Sequence, residues 1–295
     1  MATIKTGMVL EGGGMRGMYT CGILDVLMEN HIYLDGMVGV SAGIAFGCNY
    51  KSRQAGRALR YNVRFAHDKR YSSLRSLIKT GNYYNAWFAY HLVPKHYDVF
   101  DYNVFEDSPM ECYAVCFDVK TGEGVYQRLD RVNNDFFEWI RASASMPVVA
   151  QPVEVGGRLL LDGGLADSIP LQFMIDKGYK RNVVILTRED GYRKTAEHGM
   201  WLMKPLLRKW PKVIDALRER PAIYNKQLQQ VREEERKGNA FVFRPLKPLD
   251  VSRTTHDPEE MNRVYQQGRQ EALQRLDDLK KFLANADEAS TASHE

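Results

Sequence analysis

Gly39-Val40-Ser41-Ala42-Gly43 is a G-x-S-x-G pentapeptide, and its surroundings decide how the chain reads. Met37-Val38-Gly39-Val40 is an apolar lead-in suited to a strand, and Ala42-Gly43-Ile44-Ala45-Phe46 permits a helix. A serine on a sharp strand-to-helix turn has its hydroxyl lifted clear of the sheet, beside backbone N–H groups. Glycines two before and two after, Gly39 and Gly43, leave room for strand and helix to approach. Many loops carry the pentapeptide by chance, so a nucleophilic Ser41 depends on what else the chain supplies.

Upstream, residues 5–11 read as a first strand around Met8-Val9-Leu10. Gly12-Gly13-Gly14-Met15-Arg16-Gly17 follows, then a helix over about 16–30 whose apolar positions suit packing on a sheet. Asp35-Gly36 opens the second strand, which ends at Ser41. This β-loop-α-β-turn-α order predicts an α/β fold with a parallel sheet and right-handed crossovers. Downstream, residues 111–119 read as a buried strand that turns into Val125–Arg128 as a hairpin, and 133–145 as a helix stopping before Pro147. A second hairpin, Val153–Val155 with Arg158–Leu161, runs straight into Asp162-Gly163-Gly164. Val183–Thr187 is a further strand of the buried parallel type. The aromatic stretch Tyr83–Tyr90 reads as a helical core segment in preference to a lid or lipid-entry wall. Beyond about residue 200 the pattern predicts a charged helix over 222–237, a short strand at Phe241–Phe243 and one long helix over 258–284 begun by Asp257-Pro258. The last residues, 285–295, are small and polar and read as a disordered tail.

With 295 residues, 44% hydrophobic and 26% charged, the chain has the composition of a globular protein, large enough for one domain plus a helical appendage. Its net charge of +4 is too weak to argue for nucleic acid but suits loose attraction to an anionic lipid surface. Cys21, Cys48, Cys112 and Cys116 form no C-x-x-C pair and read as buried reduced thiols. The first residues lack the apolar core of a signal peptide, and no run of about 18 apolar residues occurs. A cytoplasmic location is therefore expected, with peripheral membrane contact left open. The stretch Trp201–Trp210 is basic and aromatic; a helix covering the sheet is the favoured reading, an interfacial surface the second.

Gly12, Gly14 and Gly17 fit G-x-G-x-x-G after a strand and before a helix, the dinucleotide fingerprint. Such a loop can equally hold the oxyanion of acyl transfer. A nucleotide site calls for an acid at the carboxyl end of the second strand, whereas Asp35 lies before that strand and Ser41 occupies its end. In a parallel sheet both loops emerge on one edge, so the glycine loop should face the serine hydroxyl. The oxyanion reading is favoured over a dinucleotide-binding oxidoreductase.

A serine needs a proton acceptor. His198 and His256 are the only histidines both late enough for a Ser–acid–His order and inside the probable fold, and both sit in polar contexts that read as solvated surface. Asp162 ends the apolar arm Leu159-Leu160-Leu161 and precedes two glycines that let the chain turn near the site. A buried acid after such a run needs a partner. A plain Asp-Gly turn is the bland alternative.

With these three motifs in this order, plus Ala142-Ser143-Ala144-Ser145-Met146-Pro147, the chain resembles the patatin-like phospholipases over about residues 7–190. The resemblance implies a three-layer α/β/α sandwich with a mainly parallel sheet, hydrolysing acyl esters of lipids with no metal or cofactor. Ser41 would be the nucleophile, Asp162 its base, and the N–H groups of Gly13 and Gly14 the oxyanion donors. Gly12, Arg16 and Gly17 complete the loop, Arg16 as support for it in preference to contact with a lipid phosphate. Two departures stand out: Glu11 where Asp is usual in plant members, and Gly163 after the dyad acid where Ala is usual. The implied division is a catalytic domain at 7–195 and a helical extension packed on it at 196–284. A non-catalytic lipid-binding protein of the same fold is the alternative, and phospholipase, lysophospholipase and thioesterase specificities read alike.

Overall fold

The computed structural model describes residues 4–195 and 205–291. One sheet of eight strands runs through it: β1 (Thr6–Leu10), β2 (Gly36–Val40), β3 (Glu111–Asp118), β4 (Gly124–Arg128), β5 (Val153–Val155), β6 (Arg158–Asp162), β7 (Arg181–Ile185) and β8 (Ala240–Phe243). The order is β5-β6-β3-β2-β1-β7-β8, with β4 paired to β3. β2, β1, β7 and β8 are parallel to their neighbours, and β3 is parallel to β2; β4, β5 and β6 are joined antiparallel.

The strand pattern explains the layers. Met8, Leu10, Met37, Cys112, Ala114, Cys116, Val183 and Ile185 belong to one core, and Val9, Val38, Val40, Tyr113, Val115 and Val184 to the other. That alternation is the two-residue period of a strand with both faces buried. Helices α1 (Gly17–Glu29), α2 (Ala42–Lys51) and α3 (Arg57–Phe65) lie on the first side. The chain then passes through α4 (Leu74–Thr80), a π-helix at Phe88–Tyr97 and α5 (Tyr102–Asp107), and α6 (Phe136–Ser143) returns to that side. α7 (Leu171–Asp176) and α8 (Pro211–Arg236) cover the opposite face. The architecture is a three-layer α/β/α sandwich. The four cysteines are free and buried.

The C-terminal segment differs from its reading in three ways. α8 begins at Pro211, well before 222, and runs through Pro221. Val213 and Leu217 on one side of that proline, and Tyr224, Leu228 and Val231 on the other, all bury against the protein, so packing holds both halves in line. The single helix expected over 258–284 is two: α9 (Pro258–Gln274) stops at Arg275, and α10 (Leu276–Thr291) continues past 284. At the break the Arg275 guanidinium donates to the Val242 carbonyl at 2.5 Å and lies over the Phe241 and Phe243 rings of β8. Residues 292–295 of the expected tail lie outside the described residues.

α1 is buried on every side from Gly17 to Met28, more than a helix with one core face would be. The cause is α9, which lies across its outer face. A β carbon added at Gly22 would stand 2.1 Å from the Tyr265 carbonyl oxygen, and one at Gly268 2.1 Å from that of Tyr19. The two backbones therefore touch through paired glycines. Tyr19 donates to Glu271 at 2.7 Å and Tyr265 to Asp25 at 2.6 Å, closing the crossing on both sides. Among the described residues, no helix is long and apolar enough to cross a membrane.

Gly268→Ala is expected to force the two helices apart and to cost about 1–3 kcal/mol, the usual range for overpacking. Urea unfolding monitored by circular dichroism checks it: a midpoint unchanged from wild type would contradict the backbone contact.

Candidate active site

One edge of β3 is shared end to end by two strands. β2 pairs with Glu111–Val115, its last residue Val40 opposite Val115. β6 pairs with Cys116–Asp118, its last residue Asp162 opposite Cys116. β4 overlaps both ranges and so occupies the other edge. β6 therefore takes up the edge where β2 leaves it. Ser41, the residue after Val40, and Asp162 meet at that junction, although they are far apart in sequence.

Ser41 turns the chain with φ 56° and ψ −125°. A positive φ is costly for a residue with a β carbon, of order 1–3 kcal/mol, and persists only when the surroundings hold it. Here the Ser41 N–H donates to the Ser143 hydroxyl at 2.9 Å, and that hydroxyl donates onward to the Val115 carbonyl at 2.6 Å. Ser143 is wholly buried. Gly39 and Gly43 serve the same turn: a β carbon on Gly39 would meet the Ile44 nitrogen at 2.6 Å, and one on Gly43 the Leu10 carbonyl at 2.5 Å.

Asp162 is 5% exposed. Its N–H donates to the Ser145 carbonyl at 2.8 Å, so the segment Ser143–Ser145 anchors both Ser41 and Asp162. The Asp162 carboxylate accepts from the Gly164 N–H at 2.8 Å, and the Ser41 hydroxyl stands near enough to favour the ionised form. Burial pushes the carboxyl above its ordinary value, while Arg220, the Ser41 hydroxyl and the Gly164 N–H pull it back. Gly163 lies so close to β3 that a β carbon would stand 2.2 Å from the Val115 carbonyl. Glycine at 163 is thus required by strand contact.

The glycine loop follows β1 and abuts the serine: a β carbon on Gly12 would lie 2.9 Å from that of Ser41. Gly14 has φ +57° and touches the Arg253 carbonyl, which accepts the Met15 N–H at 3.1 Å. Among the described residues the Gly12 and Gly13 N–H groups have no acceptor in the protein. Gly17 stands apart from the site, as the first residue of α1 packed on the Phe46 ring. Glu11 is more than a family variation: it accepts from the Thr187 N–H and the Tyr224 hydroxyl, both at 2.6 Å, tying the loop to β7 and α8. Sequence reading missed Ser143, Tyr224, Arg220 and Arg253, which carry no local motif beyond the Ala-Ser-Ala-Ser-Met-Pro run.

Ser41 stands between two cavities. The first is largely apolar, lined by Met15, Ala45, Phe46, Tyr61, Tyr71, Tyr83, Tyr84, Ala89, Tyr90, Val93, Phe137 and Ile140 among others. The Tyr83–Tyr90 stretch is both core and cavity wall: Phe88 is buried in the core with Tyr84, Ala89 and Tyr90 packed against it, and Tyr83, Tyr84, Ala89 and Tyr90 also line this cavity. The second cavity is polar and holds Glu11, Asp162, Arg16, Arg188, Lys194, Arg220, Tyr224 and Arg253. No histidine among the described residues lines either one. His256, read as solvated, is instead part-buried and hydrogen-bonded to the Tyr83 hydroxyl, and burial lowers its pKa. His198 lies outside the described residues, as do Trp201–Lys204 of the basic aromatic stretch; Leu207 in the remainder is buried and Leu206 exposed. Among the described residues no group of three or more His, Cys, Asp or Glu is placed to hold a metal ion.

A family model described as patatin-like phospholipase matches residues 8–175, more than half of the chain. The chain belongs to the patatin-like phospholipase family. A second model, a domain of unknown function (DUF6363), matches residues 210–284. The lysophospholipase NTE1 of Debaryomyces hansenii is 28% identical over 196 residues, which is 61% of this chain and 12% of that protein. The uncharacterized protein YjjU of Escherichia coli is 28% identical over 200 residues, 62% of this chain and 52% of that one. An uncharacterized NTE family protein of Mycobacterium tuberculosis is 29% identical over 174 residues, 57% and 28% of the two chains. The matched region thus spans about an eighth of the fungal lysophospholipase and about half of the E. coli relative. Among solved structures, VipD from Legionella pneumophila aligns with a TM-score of 0.43 at 13% identity, over 94% of this chain and 67% of that one. Patatin family membership and the three-layer sandwich agree with the reading of the motifs.

The raised pKa of Asp162 has a consequence for stability. Between the unfolded and folded values the native state holds a proton that the unfolded chain releases, so stability falls as pH rises through that window. Above it the ionised, buried carboxylate is a standing cost. Asp162→Asn keeps the acceptor oxygen and removes the charge. Its melting temperature at pH 7 is expected to equal or exceed that of wild type, and the gap should close as pH falls below the folded value; a marked drop at pH 7 would mean that Arg220 outweighs burial.

Proposed function

We propose that this chain is a serine acyl hydrolase of lipid esters, with Ser41 as nucleophile and Asp162 as its base. The observation that carries this reading is the junction on β3, where a serine on a strained turn and a buried carboxylate are brought together at two strand ends. Asp162 takes the hydroxyl proton as Ser41 attacks the ester carbonyl. The N–H groups of Gly13 and Gly14 donate to the developing oxyanion, and the unpartnered Gly13 N–H supports that role. Collapse releases the alcohol with the proton carried by Asp162. Water then attacks the acyl-enzyme with Asp162 again as base, the bond to Ser41 breaks as Asp162 returns the proton to its oxygen, and the acid leaves. The apolar cavity beside Ser41 fits the acyl chain. Relatives named lysophospholipase favour single-chain lipids as substrates.

Contact with a lipid surface is the second part of the proposal, and exposed apolar side chains near the cavity favour it. Leu74 and Ile78, one turn apart on α4, are 69% and 85% exposed, and Trp87 is 63% exposed. The Ser73 N–H donates to the Tyr83 carbonyl, joining α4 to the cavity wall. These exposed side chains support a membrane-facing patch at α4 and Trp87.

Ser41→Ala and Asp162→Asn are each expected to cut turnover of a p-nitrophenyl ester by a thousandfold or more, since members of such a unit fail together. A fluorophosphonate probe should label wild type and not Ser41→Ala; labelling that persists would remove Ser41 from the mechanism. The wild-type rate should rise with pH through the Asp162 titration, above the ordinary carboxylate range.

Co-sedimentation with anionic liposomes tests the surface patch. Ile78→Asp with Trp87→Ala should reduce the bound fraction severalfold, as two apolar anchors are lost; unchanged binding would place the contact elsewhere.

A further inference from the structure

Among the described residues, the cavity on the far side of Ser41 is lined by more cations than anions. Arg16, Arg188, Arg220 and Arg253 line it, against the carboxylates of Glu11 and Asp162. Both acids hold other donors, Glu11 the Thr187 N–H and the Tyr224 hydroxyl, and Asp162 the Gly164 N–H, while Arg220 acts on Asp162 through its charge alone. Among the described residues none of the four guanidiniums makes a side-chain ion pair or hydrogen bond, although Arg188 lies over the Tyr192 ring at 4.4 Å. Arg16 is 8% exposed and its Nε has no partner; the Nε of Arg220 is likewise buried and unpartnered. Buried donors of this kind are costly unless something accepts from them. Burial pushes Arg16 down to about 10, with Arg188 and Arg253 adding to the shift.

We infer that this cavity is a phosphate subsite, and that the C-terminal segment of unknown function completes it by supplying Arg220 from α8 and Arg253 from the loop before α9. The inference rests on the hydrolase reading for its link to catalysis and names the substrate class: single-chain lipids whose alcohol portion carries a phosphate. Guanidinium forks match phosphate oxygens two at a time, which neutral glycerol cannot exploit. The cavity's volume of about 40 Å³ has room for roughly three waters, about the size of one phosphate group. Gly14, Ser41, Met146 and Arg253 border both cavities. An ester carbonyl at Ser41 therefore sends its acyl chain into the aromatic cavity and its alcohol toward the arginines. Arg16, read first as support for the loop, becomes a ligand of the same group.

The test is equilibrium binding to Ser41→Ala protein, which separates this inference from hydrolysis: loss of the hydrolase reading would leave the binding result standing. The protein is titrated by calorimetry with octanoyl glycerol phosphate and with octanoyl glycerol, each below its micelle concentration. The phosphorylated lipid should bind at least about tenfold more tightly, the effect of one charge-assisted contact. Adding Arg220→Gln and Arg253→Gln should shrink that advantage to within about twofold. Equal affinities in the Ser41→Ala parent would overturn the subsite. Inorganic phosphate should compete only weakly; if it bound as tightly as the lipid, the site would belong to free phosphate and the headgroup assignment would fall. Thermal unfolding without phosphate controls for folding. Removing one of four clustered like charges should leave the melting temperature of Arg220→Gln equal or raised, and a drop of several degrees would make Arg220 structural and overturn its role as a ligand.

Discussion

A strand can hydrogen-bond to one neighbour on each edge at any point along its length, and this limit builds the site. β3 has β4 on one edge, so β2 and β6 must divide the other. Where β2 stops, its chain turns sharply into α2, and where β6 stops, its chain turns sharply under β3. The two ends arrive at one place because neither strand can extend into the other. Ser41 and Asp162 are the residues at those ends. Ser143 at the end of α6 and Ser145 just beyond it then lock the junction, the first through its hydroxyl to Ser41 and the second through its carbonyl to Asp162.

The site stores several local costs that the sandwich around it offsets. Ser41 has a backbone conformation that side chains disfavour, Asp162 is a carboxylate with little water, and the glycine loop holds N–H groups without acceptors. Each would relax if the surrounding strands and helices let it. They do not, because β1, β2 and β7 are buried on both faces and a shift in one would disturb two cores. Preorganisation of this kind is what electrostatic catalysis requires, since the polar groups need not reorganise as charge develops.

The C-terminal segment is part of the same body. It adds β8 to the sheet, lays α9 on α1 through paired glycines, and brings Tyr224 to Glu11 beneath the glycine loop. A helical appendage could be absent without consequence for the loop; this one shares its hydrogen bonds. The Arg253 carbonyl accepts the Met15 N–H, so the conformation of Gly14 depends on residues more than two hundred positions away.

Much was legible before the tertiary structure. The alternation of strands and helices, the serine at the end of the second strand, the misplaced Asp35 and the apolar arm ending in Asp162 all follow from local pattern, because burial and turn chemistry act over a few residues. Asp35 indeed sits at the start of β2, holding the Thr6 N–H at 2.7 Å. Other features had no local signature. Tyr83–Tyr90 has the composition of a core helix, and only the neighbours decide whether aromatic rings meet other rings or open space. Arg220 looks like any arginine on a charged helix, and Arg253 like a loop residue. Ser143 is a small polar residue whose hydroxyl matters because Ser41 and Val115 flank it. By itself the sequence pointed to the family, to a mainly parallel sheet and to Ser41 and Asp162 as the candidate pair; the order of the strands came from the structure. The tertiary structure alone decided which cations gather beside that pair and which helix lies on α1. Those are contacts between segments distant in the chain, and residue spacing carries no record of what will be packed against what.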